Sequence, residues 1–147
     1  ISEKQLISLC NHYSNIVVKG VINSKLVDGT YNFLSKYYKN YDFYISTGTP
    51  QNEIFYILSK INLSQFFKGV YGSPTTKDNH VKEILSKYKY KINEVVFIGD
   101  ALSDLQAAKS NNITFIARHT MSDELKNQKY LIANFNNFNE YLNSLKF

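Results

Sequence analysis

Four polar residues stand where strand-to-helix turns could do chemistry. Thr47 lies in Ser46-Thr47-Gly48-Thr49-Pro50, where Pro50 suits a first helical position and Thr49 an N-cap, so that free backbone N–H groups and a positive dipole end would face outward. A helix start of this kind attracts anions, and Thr47, with Gly48 beside it, could give its hydroxyl to a phosphoryl oxygen; alone, the segment also reads as a plain turn and cap. Lys77, in Thr75-Thr76-Lys77-Asp78, sits in a first helical turn, where a cation opposes the macrodipole. Such a violation is expected where function outweighs local preference, although single surface lysines are common in this chain. Turned inward, Lys77 would neutralise a bound anion as a point charge. Gly99-Asp100-Ala101-Leu102-Ser103-Asp104 sets one carboxylate at the end of an apolar run and another four residues later. Together Asp100 and Asp104 could hold a hard, oxygen-seeking cation such as Mg²⁺; the plainer reading is a cap and a dipole-matched acid.

Alternating strands and helices must position these residues. Phe43 to Ser46 is a short apolar run, after which Ile54, Ile57, Leu58 and Ile61 recur at helical spacing. Val70-Tyr71 is a second run, closed by Gly72-Ser73-Pro74 and followed by the stripe Val81, Ile84, Leu85 and Tyr88. Val95-Val96-Phe97-Ile98 reads as a strand buried on both faces of a parallel sheet, and Leu105, Ala107 and Ala108 belong to the helix after it. Ile113 to Ala117 is a fourth strand, Tyr130 to Ala133 a short fifth, and Phe138 to Leu145 a closing helix. This alternation predicts parallel βαβ units and an α/β fold with a doubly wound, Rossmann-like sheet, whose sites lie outside the carboxyl ends of the strands. Residues 1–26 differ, since Leu6, Leu9, Cys10 and Tyr13 predict a helix of another layer or a cap. The expected organisation is a helical segment over 1–26 and an α/β core over 27–147.

Composition narrows the class of function. At 147 residues, 44% hydrophobic and 20% charged, the chain is neither disordered nor of low complexity. No apolar run approaches the roughly 18 residues that span a bilayer, and Ile1-Ser2-Glu3-Lys4 is not a basic segment leading into an apolar one. A soluble, cytoplasmic protein with no membrane partner is therefore expected. Cys10 is the only cysteine, which excludes an intrachain disulfide and a cysteine-cluster metal site. The net charge of +5 comes from lysines scattered singly, with Arg118 the only arginine, a pattern that speaks against a nucleic-acid partner. His12, His80 and His119 lack metal-ligand spacing and read as structural or surface residues, Arg118 and His119 as a solvated loop, and the Tyr and Phe residues mostly as core.

In order and spacing, Thr47, Lys77 and Gly99-Asp100-x-x-x-Asp104 resemble motifs two, three and four of the haloacid dehalogenase-like hydrolase superfamily, in its phosphoglycolate-phosphatase-like branch. The likeness runs from about Val27 to Ala117 and is most specific over Val96-Phe97-Ile98-Gly99-Asp100-Ala101-Leu102-Ser103-Asp104-Leu105-Gln106-Ala107-Ala108. The superfamily consists mostly of Mg²⁺-dependent phosphatases, so the resemblance implies Mg²⁺ as cofactor and a small phosphorylated metabolite as substrate, chosen by a cap. It implies that Thr47 and Gly48 bind the transferring phosphoryl group and that Lys77 offsets charge on nucleophile and phosphoryl. Asp100 would hold Mg²⁺, and Asp104 would orient Lys77 or a metal-bound water.

Motif one of that family, an Asp-x-Asp-Gly at the end of an apolar strand, carries its nucleophile and has no match here. Asp28-Gly29-Thr30 resembles the tail of the motif, but Leu26 stands two positions before Asp28, and Gly29 better suits a spacer turn before the helix of Tyr31, Phe33 and Leu34. In the family's sheet the motif-one strand lies between the motif-two and motif-four strands. Without it, Phe43 to Ser46 and Val95 to Ile98 would each present an unpaired apolar edge, which stable proteins avoid. The expectation is the carboxyl-terminal portion of a longer phosphomonoester hydrolase that acts through a phospho-aspartyl intermediate, with the nucleophile strand and much of a cap upstream. Direct hydrogen bonding between those two strands would exclude it. Two alternatives remain open: a phosphomutase or dehalogenase of the same fold, and a non-catalytic phosphate-binding or regulatory domain.

Overall fold

Strand and helix alternate as the apolar spacing requires, in a computed structural model that describes residues 1–119, 121–136 and 138. The order is α1 (Glu3–Asn23), α2 (Thr30–Tyr37), β1 (Phe43–Pro50), α3 (Gln51–Lys60), β2 (Phe67–Ser73), α4 (Lys77–Tyr88), β3 (Val96–Gly99), α5 (Leu102–Ser110), β4 (Thr114–Arg118), α6 (Asp123–Lys126) and β5 (Leu131–Ile132). Of the closing helix expected over Phe138 to Leu145, only Phe138, which is buried, falls within the described residues. Among the described residues no helix is long and apolar enough to cross a membrane.

The strands form two parallel sheets. β1 pairs with β2, and β4 lies between β3 and β5. β1 and β3 are not hydrogen-bonded to one another, so each turns an unpaired edge toward the other half. A cavity of about 330 Å³ lies between these edges, walled by Phe33 and Leu34 of α2, Phe43 and Tyr44 of β1, Ile98 of β3 and Phe135, with Asp100 and Arg118 also lining it. The halves are held together by apolar packing around that space: Phe33, Leu34, Ile54 and Leu58 share one core with Ile116, Ile132 and Phe138. A second core, Val81, Leu105, Ala107, Ala108, Ile113 and Phe115, fixes α4 against α5 and the β3–β4 pair.

Local chemistry explains most boundaries. Ser2 starts α1 through a capping box: its Oγ accepts the Gln5 N–H at 3.2 Å while Gln5 Oε1 accepts the Ser2 N–H at 2.8 Å. α1 buries Val18 and bonds through Ser14 to Glu53 of α3, yet leaves Leu6, Leu9, Tyr13 and Ile16 exposed along one stripe. Gly29 begins α2 in the left-handed region at φ 82°, and a Cβ there would sit 2.5 Å from Asn136 Oδ1, so this is the spacer turn that the sequence suggests. One expected helix start is displaced. β1 runs on through Pro50, which faces Ser73 of β2, so α3 starts at Gln51 with Pro50 as its N-cap, and Thr49 does not cap it. Pro74 precedes α4 by three residues, and Thr76 is the N-cap. Many tyrosines are also outside the core: Tyr13, Tyr31, Tyr38, Tyr41 and Tyr56 are exposed, because the phenol hydroxyl favours the water boundary.

Candidate active site

The carboxyl ends of β2 and β3 are joined by an ion pair. Lys77, the first residue of α4, places Nζ 2.6 Å from Asp104 Oδ1 in the first turn of α5. Asp104 is 4% exposed, an unusual position for an acid and one that demands full pairing. Its second oxygen meets that demand by accepting the backbone N–H groups of Asp100 at 3.2 Å and Ala101 at 3.0 Å. The Asp104 carboxylate can fold back over the end of β3 only because Gly99 has no side chain: a Cβ on Gly99 would lie 2.4 Å from Asp104 Cβ. The spacing Gly99-Asp100-x-x-x-Asp104 thus has a steric as well as an electrostatic reason. The lysine that opposes the α4 dipole is held by this buried charge.

Asp100 extends the group by one step. It follows β3 directly, its side chain is 53% exposed, and its Oδ2 accepts Arg118 Nη2 at 2.8 Å. Arg118 is the last residue of β4 and not, as expected from the sequence, part of a solvated loop; β4 runs one residue further than its apolar run and carries the guanidinium to the rim beside Asp100. The four side chains Lys77, Asp104, Asp100 and Arg118 alternate in sign and form one neutral cluster at the strand ends.

Thr47 and Gly48 belong to β1, in the other half. The Thr47 hydroxyl accepts the Thr49 N–H at 3.2 Å and donates to Thr49 Oγ1 at 3.2 Å. Gly48 is exposed, and a Cβ there would meet nothing within 4 Å, so open space adjoins Thr47. Among the described residues no hydrogen bond links Thr47 to the Lys77–Asp104 pair. Two side chains that the sequence reading left outside the site brace α3 and α4 against the β1–β2 half of this surface. Gln51 of α3 accepts the Gly72 N–H at 2.6 Å and donates to Val70 O at 2.9 Å. His80 of α4 reaches both Ser46 and Gly72. The signal for His80 was its place on the apolar stripe with Val81 and Ile84, three residues after Lys77.

Mg²⁺ prefers oxygen ligands in octahedral geometry and is usually held by one or two carboxylates together with waters and substrate phosphate. Asp100 fits that demand, being a half-exposed carboxylate at a strand tip. Asp104 has both oxygens committed and serves Lys77 as it stands. Among the described residues no three His, Cys, Asp or Glu groups converge as a metal site, and at these strand ends Asp100 is the carboxylate with the more exposed side chain.

The sequence profile of the family described as haloacid dehalogenase-like hydrolase matches residues 2–118. Similar solved structures include a haloacid dehalogenase-like family hydrolase from Streptococcus pneumoniae, 20% identical, with a TM-score of 0.80 over 97% of this chain and 72% of that one. A predicted phosphoglycolate phosphatase from Haemophilus somnus is 14% identical, with a TM-score of 0.83 over 97% of this chain and 68% of that one. A predicted phosphatase from Clostridium acetobutylicum is 20% identical, with a TM-score of 0.80 over 98% and 72%. At these identities the likeness is one of fold. No curated protein matches the chain.

Proposed function

Because the chain belongs to the haloacid dehalogenase-like hydrolases, we propose that it forms most of a Mg²⁺-dependent phosphomonoester hydrolase acting on a small phosphorylated metabolite through a phospho-aspartyl intermediate. The observation that carries this reading is the Lys77–Asp104 bridge between the ends of β2 and β3, which fixes an ammonium on the carboxylate that also holds the Asp100 backbone N–H. A phosphate dianion approaches carboxylates only where cations and fixed donors compensate its charge. Lys77 supplies a fixed positive charge, Asp104 holds it in place, and the Thr47 hydroxyl with the open backbone at Gly48 offers donors from the other side. Asp100 would hold Mg²⁺, which when bound polarises the phosphoryl oxygen.

The nucleophile in this reading is an Asp on a strand outside these residues. The unpaired edges of β1 and β3 across an apolar cavity support it, since one parallel strand would satisfy both and end beside Asp100. Asp28 is not suited to the role, its carboxylate being 62% exposed and paired with Lys25 at 3.3 Å. Residues 1–26 fit the end of a cap whose other helices cover the stripe of Leu6, Leu9, Tyr13 and Ile16. The scattered lysines leave no role for nucleic acid or a membrane surface, and a cytoplasmic setting suits the single, exposed Cys10.

The test uses the full-length protein with Mg²⁺ and p-nitrophenyl phosphate. Phosphate release that falls by roughly a hundredfold or more in Asp100→Asn, or on chelation, is expected. An unchanged rate in Asp100→Asn would sink the assignment. A second reading has an observation of its own: Asp104 and Asp100 are already neutralised by Lys77 and Arg118, as in a domain that binds phosphate without cleaving it. Saturable phosphate binding with no turnover would select it.

A further inference from the structure

His80 is almost fully buried, 1% exposed, and both ring nitrogens are used. Nε2 lies 3.1 Å from the carbonyl oxygen of Gly72, and Nδ1 lies 2.8 Å from Ser46 Oγ. A carbonyl only accepts, so Nε2 must carry the proton; the neutral ring then accepts at Nδ1 and the Ser46 hydroxyl donates. These partners are informative by position. Ser46 immediately precedes Thr47 on β1, Gly72 is near the carboxyl end of β2, and His80 stands three residues after Lys77 in the first turns of α4. Gln51 holds the N–H of the same Gly72 from α3, so both backbone groups of that residue are bound by side chains of flanking helices. The Gly72 backbone packs closely on the end of β1, where a Cβ on it would lie 2.6 Å from Thr49 O.

We infer that His80 is a positioning residue: a neutral imidazole strut that fixes the start of α4, and with it Lys77, against the carboxyl ends of β1 and β2, and with them Thr47. The effect on catalysis rests on the phosphatase reading; the strut itself does not. Burial holds the imidazole below its ordinary value of 6.5. Among the described residues the charged groups around it are Lys77, Asp78 and Glu83, all of α4, while β1 and β2 present the Ser46 hydroxyl, the Gly72 carbonyl and the Tyr71 ring at 5.6 Å. Protonation would place a second N–H against Ser46 Oγ and reverse that bond, turning the hydroxyl's proton away from the ring.

Three measurements on the full-length protein decide the matter. Side-chain ¹⁵N correlation spectra are expected to show His80 as the neutral Nε2–H tautomer at pH 7; the other tautomer, or a ring that titrates at its ordinary value, overturns the inference. Amine labelling read by mass spectrometry is expected to modify Lys77 several-fold faster in His80→Phe and in Ser46→Ala than in the wild type. Lys87, at the far end of α4, should label at an unchanged rate. Equal acceleration at both lysines means general loosening and overturns the inference, as does no acceleration in either folded variant. With p-nitrophenyl phosphate, kcat should fall by about tenfold to a hundredfold in His80→Phe, the scale of a small misplacement of a reacting group, and His80→Gln, which keeps a donor for Gly72, should recover part of it. If the wild type releases no phosphate the phosphatase reading fails, and the tautomer and labelling results still judge the strut.

Discussion

Gly99 and Asp104 occupy one another's space, and this pair sets the cost of altering the site. In Gly99→Ala the new methyl meets Asp104 Cβ at 2.4 Å, so the carboxylate must leave the end of β3 or the turn must shift. The expected loss is about 1–3 kcal/mol, the usual scale of overpacking, read as a lower midpoint in chemical denaturation. Asp104→Asn keeps the shape and removes the charge. It strands a Lys77 ammonium whose side chain is only 22% exposed, and should cost about 2–3 kcal/mol, less than the roughly 3–5 kcal/mol of a fully buried pair because some water still reaches Lys77. A denaturation midpoint unchanged in Asp104→Asn would mean that the pair contributes nothing net.

At the scale of elements, side chains that cross from helix to strand do what neighbouring strands do elsewhere. Among the described residues β2 has a strand partner only in β1, and Gln51 and His80 satisfy the backbone near its carboxyl end. Gln51→Ala removes two such bonds and should destabilise by about 1–3 kcal/mol in thermal unfolding, with α3 otherwise intact. The amino-terminal end of the same sheet is closed differently, by Lys68 bonding Asp42 at 2.7 Å and lying 4.7 Å over the Tyr88 ring. That bond from Lys68 holds the Asp42 carboxyl below its usual range. His80 adds a pH dependence whose sign follows from its lowered pKa. Below 6.5 the unfolded imidazole takes a proton that the folded one refuses, so stability is complete above that value and is lost as pH falls through the window beneath it. The slope attributable to this group reaches at most about 1.4 kcal/mol per pH unit, and His80→Phe should flatten the difference curve between pH 7 and 5.

On the scale of the whole molecule, the open seam between the sheets is the governing feature. Among the described residues, the edge of β1 opposite β2 and the edge of β3 opposite β4 have no strand partner. In the 147-residue chain, hydrogen exchange should therefore be markedly faster at the seam-facing amides than at their paired neighbours, and should slow in a longer chain that supplies the central strand. Equal protection on both sides in the short chain would mean that the seam closes by itself, contrary to the proposed strand.

Periodicity alone made the alternation legible: the stripes Ile54-Ile57-Leu58 and Val81-Ile84 are buried where their spacing put them, and the apolar runs ending at Ile98 and Ala117 lie in parallel strands. The order of Thr47, Lys77, Asp100 and Asp104 along the chain likewise pointed to the family, because strand-tip chemistry is local and survives as short spacings. What depends on distant residues was not legible. Whether Lys77 turned inward was settled by Asp104, 27 positions away, and the real start of α3 was settled by Pro50 facing Ser73 across the sheet. Arg118 reads as a solvated-loop residue and His80 as a structural or surface histidine until folding sets Asp100 beside one and Ser46 and Gly72 beside the other. The sequence by itself determined the elements and the types of group at their ends, since both follow from contacts within a turn or two. Only the tertiary structure decided which charges are paired, which nitrogen of His80 bears its proton and where the sheet is left open, since these depend on groups far apart in the chain.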